Sequence, residues 1–335
     1  MRVVVTGADG FVGAYLCGAL HARGDEIIPL VLRPCDGLVV RLDQDPTISH
    51  RLSIPTHVVE LPDRPRVAEI LRHTEPDAVV HLAAVSAVPD SSRAPDYARR
   101  VNVEGTADVA GAIAEHCPAT RLLFTSSCLV YGPTPIEAQP VDETTPVHPN
   151  NEYGRTKLEA EHAIVSLRDR FETAPIIVRP FNQFGPGQSP SFVLSSFARQ
   201  IERIRVGLEP PVLRTGNLEV RREFLDVRDV VAAYLGLLDA EAADGVFTVA
   251  SGRPQLLRGL LERLSQIAGV EFEVETDPAR LRPNDLEVLS GSARRLEQTT
   301  GWKPHRTIDE SLRALLQYWR NRIAVEQRGT GDAVR

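Results

Sequence analysis

Short runs rich in Val, Ile and Leu alternate with longer stretches of mixed character through the first half of the chain. The runs at 2–6, 26–32, 57–61, 78–83, 121–127 and 175–180 are too short for amphipathic helices and read as strands buried on both faces. Between them, helices are predicted at about 11–23, 64–74, 96–116 and 151–170. Strand and helix alternating in this way predict an α/β unit built on a doubly wound parallel sheet. Past Pro180 the texture changes to Gly- and Pro-rich loops such as "FNQFGPGQSPS" mixed with shorter elements. The reading is therefore a dinucleotide-type domain over 1–180, a smaller α/β substrate lobe over 181–326 and a frayed tail over 327–335. The cleft between the lobes is the default site.

The first strand runs into "VTGADGFVGAYL", which sets Gly7, Gly10 and Gly13 in G-x-x-G-x-x-G spacing, with Phe11 and Val12 between the last two. In such a turn the first glycine permits the tight bend, the second lets a pyrophosphate approach the backbone, and the third lets helix and strand pack closely. A Rossmann-like fold and a nicotinamide dinucleotide are the expectation. The second strand ends in "VLRPCDG". Arg33 stands where a ribose-binding carboxylate would be, which favours the 2′-phosphate of NADP(H), while Asp36 would permit NAD(H).

Composition narrows the classes. The 335 residues are 42% hydrophobic and 25% charged, and no apolar run approaches the roughly 20 residues a membrane span requires. No membrane partner is expected. The amino terminus enters a strand directly, without a signal-type cleavage site, so a cytoplasmic location is expected. A net charge of −7 argues against a nucleic-acid partner. The four cysteines and nine histidines show neither C-x-x-C nor H-x-x-x-H spacing, so neither a metal site nor a disulfide framework is expected.

"NEYGRTKLEAEH" places Tyr153 four residues before Lys157, on one face of a helix. A phenol with a pKa near 10 is a poor proton donor at neutral pH, and a nearby ammonium would lower it towards the working range. Ser127, in "FTSSCLVYG" at a central strand end, supplies a hydroxyl that could share a hydrogen bond with a substrate oxygen. Glycine turn, "HLAA", strand-end serine and Y-x-x-x-K come one after another in the order that a doubly wound sheet would deliver to one edge.

In these motifs the chain resembles the extended short-chain dehydrogenase/reductase family of nucleotide-sugar enzymes, over almost its whole length. The resemblance implies a catalytic trio of Ser127, Tyr153 and Lys157, with Asn102 of "VNVEGT" supporting the lysine through a water. It implies that Leu82, Ala83 and Ala84 line the nicotinamide ribose and that Asp63 lies near the adenine. His81 could instead be a plain strand-end residue.

The stretches "RPFNQFGPGQSPSFV", "GNLEVRREFLDVRDVVAAY" and "DPARLRPNDLEVLSGSARRLEQTTGWKP" resemble the members of that family that reduce GDP-6-deoxy-4-keto-D-mannose to GDP-rhamnose. By that resemblance Asn182 and Val193 contact the GDP-sugar, Arg222 and Arg282 clamp its diphosphate and ribose, and Ser86 and Cys128 complete the substrate contacts. The dehydratases of the family carry acid and base groups within two residues of the catalytic Ser/Thr. Here those places hold Cys128 and Leu129, which demotes dehydration, although Glu137, Asp142 and Glu143 lie in the next loop. Cys128 itself is expected to be structural. The alternatives are a nucleotide-sugar 4-epimerase on retained NAD and, outside catalysis, a dinucleotide-binding regulator, against which the intact trio weighs. Helices near 96–116 and 151–170 resemble those that pair in the family's dimers, so a homodimer is expected.

Overall fold

The computed structural model of the chain describes residues 1–281 and 286–331. Seven strands form one parallel sheet: β1 (Arg2–Thr6), β2 (Glu26–Val31), β3 (His57–Val58), β4 (Ala78–His81), β5 (Arg121–Thr125), β6 (Ile176–Pro180) and β7 (Gly245–Val249). Their order across the sheet is 3-2-1-4-5-6-7. The winding reverses between β1 and β4, and the crevice outside their carboxyl ends is where such sheets bind ligands.

Both faces of the sheet are buried, as the apolar runs require. Val3, Val5, Val80, Leu123 and Val178 face one core with α1 (Phe11–Arg23). Their alternates Val4, Val79, Leu122, Phe124 and Ile177 face a second core with α2 (Arg64–Thr74), α3 (Gly105–His116) and α4 (Glu152–Val165). The helix expected at 96–116 is broken: a short helix Pro95–Arg99 runs through a π turn, Arg100–Glu104, into α3. The wide turn lets Asn102 point inward, where its amide exchanges hydrogen bonds with the backbone of Val85.

After β6 the chain builds a third core from α5 (Val193–Arg205), the helix Leu257–Ala268 and the long helix Ile308–Gly331. The division expected at residue 180 is crossed, however. The helix α6 (Val227–Asp239) packs Val230, Tyr234 and Leu237 into the first core, and β7 then closes the sheet beside β6. The reason is geometric: β6, buried on both faces, needs a second neighbour for its backbone groups. The final helix likewise continues to Gly331, into the segment expected to fray. Among the described residues no helix is long and apolar enough to cross a membrane.

Two small ladders carry the second segment to the sheet edge. Asn182–Phe184 pairs in parallel with Phe224–Asp226, and Arg221–Arg222 pairs in parallel with Val288–Leu289.

Candidate active site

A cleft of 1370 Å³ runs along the carboxyl edge of the sheet, from the glycine turn at one end to Arg222 and Arg280 at the other. Gly7 has φ +66°, a left-handed conformation that glycine adopts without strain. A Cβ on Gly13 would lie 2.2 Å from the carbonyl oxygen of Gly7, so no other residue lets α1 leave the strand this closely. No side chain caps the amino terminus of α1. Its first N–H groups are thus left for an anion, and Gly7, Gly10, Phe11, Val12 and Gly13 all line the cleft. This bare, glycine-walled helix start fits the diphosphate of a dinucleotide.

At the adenosine side, Leu32, Val59, Glu60 and Leu61 line the cleft. Arg33 is exposed just past β2, beyond that wall, and Asp36 is exposed in the following loop. Asp63 is not in the wall either. Its Oδ1 accepts the backbone N–H of Arg66 at 3.1 Å and caps α2, the commonest use of an aspartate before a helix.

Leu82, Ala83 and Ala84 line the cleft. The N–H groups of Leu82 and Ala83 donate to the hydroxyl of Thr6, fastening this turn to β1. His81 lies beneath, buried between Thr6 and Thr106 at 2.7 and 3.0 Å. The Thr106 hydroxyl donates to the Asn102 carbonyl, so it accepts from Nε2–H, while Nδ1 accepts from Thr6. Burial, with Lys157 adding to it, lowers this imidazole to about 3. His81 is therefore a neutral cross-link between strands, the plainer of the two roles open to it.

The amino terminus of α4 brings the trio together. Asn151 caps it by accepting the N–H of Gly154 at 2.9 Å, and at Gly154 a Cβ would stand 2.6 Å from the Leu129 carbonyl oxygen. The helix can therefore lie against the loop after Ser127. Lys157, 2% exposed, donates from Nζ to the Thr125 carbonyl oxygen at 2.7 Å, and its ammonium sits 4.8 Å from the Phe124 ring centroid and 6.0 Å from that of Tyr153. Ser127 is buried, and its Oγ accepts the Leu129 N–H at 3.2 Å.

The electrostatics differ from the expectation. Burial lowers the Lys157 ammonium to about 7, with Glu161 opposing the shift. Burial also raises the Tyr153 phenol, Cys128 adds to the rise, and the Ser127 hydroxyl pulls against it. The rise in the Tyr153 phenol comes first from burial, so the phenol is held protonated rather than made acidic.

Asn102, 1% exposed, donates from Nδ2 to the Thr156 hydroxyl at 3.0 Å, beside the lysine in sequence. Cys128 lies buried among Val130, Tyr131, Phe181 and Ala250, and burial pushes its thiol up to about 12. That suits packing rather than proton transfer. Ser86, in the loop after β4, and Asn182, Val193 and Arg222 of the second segment all line the cleft. Asn182 donates to the Glu223 carbonyl oxygen at 2.8 Å, and Arg222 is half-buried. Arg282 falls outside the described residues.

Two buried carboxylates leave little or no trace in the sequence. Glu223, fully buried, accepts the N–H groups of Ser251, Gly252 and Gly291 at 2.6, 2.9 and 2.7 Å and so holds two loops to the segment that bears Arg222. Nothing in "RREFLD" distinguishes it from a solvated glutamate. Glu161 pairs with Arg179, 6% exposed. Here a signal existed: an arginine inside the doubly buried run "PIIVRP" must have an anionic partner.

The chain matches the family model described as GDP-mannose 4,6 dehydratase over residues 4–315. It is 38% identical to a GDP-6-deoxy-D-mannose reductase of Pseudomonas aeruginosa, over 97% of this chain and 99% of that protein. It is 29% identical to GDP-mannose 4,6 dehydratase 1 of Arabidopsis thaliana, over 90% of this chain and 84% of the relative. Among solved structures, RMD of Pseudomonas aeruginosa complexed with NADPH superposes with a TM-score of 0.79 at 35% identity, covering 96% of this chain and 99% of that one. A UDP-glucose 4-epimerase of Thermus thermophilus with NAD gives 0.81 at 27% identity, covering 96% and 99%. By the extent of these matches, the chain belongs to the GDP-mannose 4,6 dehydratase family of extended short-chain dehydrogenase/reductases.

Proposed function

We propose that this protein reduces the C4 ketone of a GDP-4-keto-6-deoxymannose-type sugar, taking its reducing equivalent from NADPH in preference to NADH. The observation that carries the reading is the phenol of Tyr153 lining the cleft beside Ser127, since a ketone accepting hydride needs a proton delivered to its oxygen. Bound NADPH supplies the hydride. The Ser127 hydroxyl donates to the carbonyl oxygen as negative charge builds there, and Tyr153 gives up its proton to the same oxygen. The Lys157 ammonium, anchored on Thr125, adds positive charge below the forming phenolate. Asn182, Val193 and Arg222 hold the nucleotide portion, with Arg222 providing the forked donor suited to a diphosphate.

The two residues after Ser127 disfavour dehydration. That reaction requires a proton to be taken from one carbon and another to be given to a departing hydroxyl, which needs carboxylates near the sugar. The buried thiol of Cys128 and the side chain of Leu129 do neither. Glu143 accepts the Thr248 N–H, and Asp142 accepts from Thr144 and Thr145. Neither they nor Glu137 line the cleft.

The homodimer reading pairs the outer faces of α3 and α4, where Val165 is exposed at the end of α4, and light scattering of the purified protein tests it. The function is tested by supplying GDP-4-keto-6-deoxymannose with NADPH and with NADH, following absorbance at 340 nm and identifying the sugar formed. Oxidation of neither cofactor would remove the assignment. Activity without added cofactor, from a protein purified with NAD, would favour a 4-epimerase.

A further inference from the structure

Behind the trio, three elements of the sheet edge meet at one carboxylate. Glu161 lies one turn beyond Lys157 on α4 and is 3% exposed. Arg179, on β6, grips it with both arms of its guanidinium, Nε to Oε1 at 3.0 Å and Nη2 to Oε2 at 2.7 Å. The hydroxyl of Ser126, the neighbour of Ser127, donates to the same Oε1. Arg179 is itself seated 5.1 Å over the ring of Tyr131, whose hydroxyl pairs with Thr248 on β7.

Neither Glu161 nor Arg179 lines the cleft, so they do not bind ligand. Dehydrating an ion pair this deep is unfavourable, and apolar side chains of similar volume would hold the same elements together at least as well. What apolar residues could not supply is a fixed negative charge one helical turn from Lys157, joined by a hydrogen bond to the strand end that bears Ser127.

We propose that Glu161 is a positioning residue for the reduction: locked by Arg179, it ties the Ser127 strand end to the helix of Tyr153 and Lys157 and sets a negative charge one turn from the ammonium. This rests on the reductase reading of the cleft. The groups facing the ammonium are the Thr125 carbonyl and Phe124 ring from β5, His81 from β4, and Tyr153 and Glu161 from its own helix. His81 is neutral at working pH, so Glu161 is the one full charge among these, adding to what the Thr125 carbonyl and the Phe124 ring give the ammonium.

The test compares the wild-type protein with Glu161→Gln, with Ser126→Ala, and with the double variant E161Q/R179M, which removes both charges and leaves no unpaired guanidinium if the single glutamine variant fails to fold. Labelling of Lys157 by an amine-reactive reagent across pH, read by mass spectrometry, gives its midpoint without reference to turnover. The midpoint is expected to fall by about one unit in the double variant. The alkaline limb of kcat/KM for NADPH should move with it, and S126A should lower kcat without moving either. A folded double variant whose Lys157 midpoint and pH limb match the wild type overturns the proposal. If the wild type oxidises no NADPH with the keto sugar while the labelling midpoint still falls in the double variant, the reductase reading fails and the coupling of Glu161 to Lys157 stands.

Discussion

The ammonium nitrogen of Lys157 stands 2.7 Å from the carbonyl oxygen of Thr125, which fastens the helix bearing the phenol to the strand that leads into Ser127. Together with the packing of Gly154 on Leu129 and the Ser126–Glu161 bond, it holds the members of the trio in relative place.

Replacing Tyr153 by phenylalanine removes the proton donor but keeps the ring. Turnover should drop by about 10²- to 10⁴-fold, the usual worth of a positioned acid. NADPH affinity, measured by fluorescence titration, should change little, because the glycine turn that holds the diphosphate is untouched. Undiminished turnover in Y153F would require a different donor.

Lys157 is lowered to about 7 by burial. The ammonium is thus the major form below that pH and the free amine above it. Since kcat/KM for NADPH reports groups of the free enzyme, it should fall on the alkaline side with a midpoint near 7. Lys157→Met should abolish that limb together with most of the activity.

His81 is held neutral, lowered from 6.5 to about 3. Below pH 6.5 the unfolded chain takes up a proton there that the native protein refuses. Stability is fully present above 6.5 and is lost as pH falls towards 3, at about 1.4 kcal/mol per pH unit. Thermal melts of the wild type and of His81→Gln from pH 7 to pH 4 should diverge, with the glutamine variant showing the flatter dependence.

Glu223 anchors two loops to the segment that bears Arg222. Glu223→Gln turns one acceptor oxygen into a donor facing backbone N–H groups, at a cost of about 2–3 kcal/mol. The melting temperature should fall, and KM for the GDP-sugar should rise more than kcat falls. Equal loss in both parameters would place Glu223 nearer the chemistry than the structure does.

The sheet, its glycine turn and the trio were legible because each leaves a local pattern: an apolar run, a fixed glycine spacing, a phenol and an amine one turn apart. What was not legible depends on distant partners. Asp63 looked like an adenine contact, but a helix beginning at Arg64 claims its carboxylate as a cap. Asn102 was expected to support the lysine through a water; its amide joins Val85 to Thr156 through a π turn that no residue pattern announces. The phenol was expected to be acidified by charge. Desolvation, which depends on everything packed around it, acts the other way. Arg179 was the missed clue, because the strand it interrupts was correctly read as buried on both faces.

The return of Gly245–Val249 to the sheet has a practical corollary for protein engineers. The segment after Pro180 cannot be grafted as a cassette between relatives, because excising it strips β6 of its neighbour. A fragment ended at Pro180 would present a naked hydrogen-bonding rim, and such rims recruit foreign strands. Chimeras should therefore be joined in surface loops that leave both segments threaded through the common sheet.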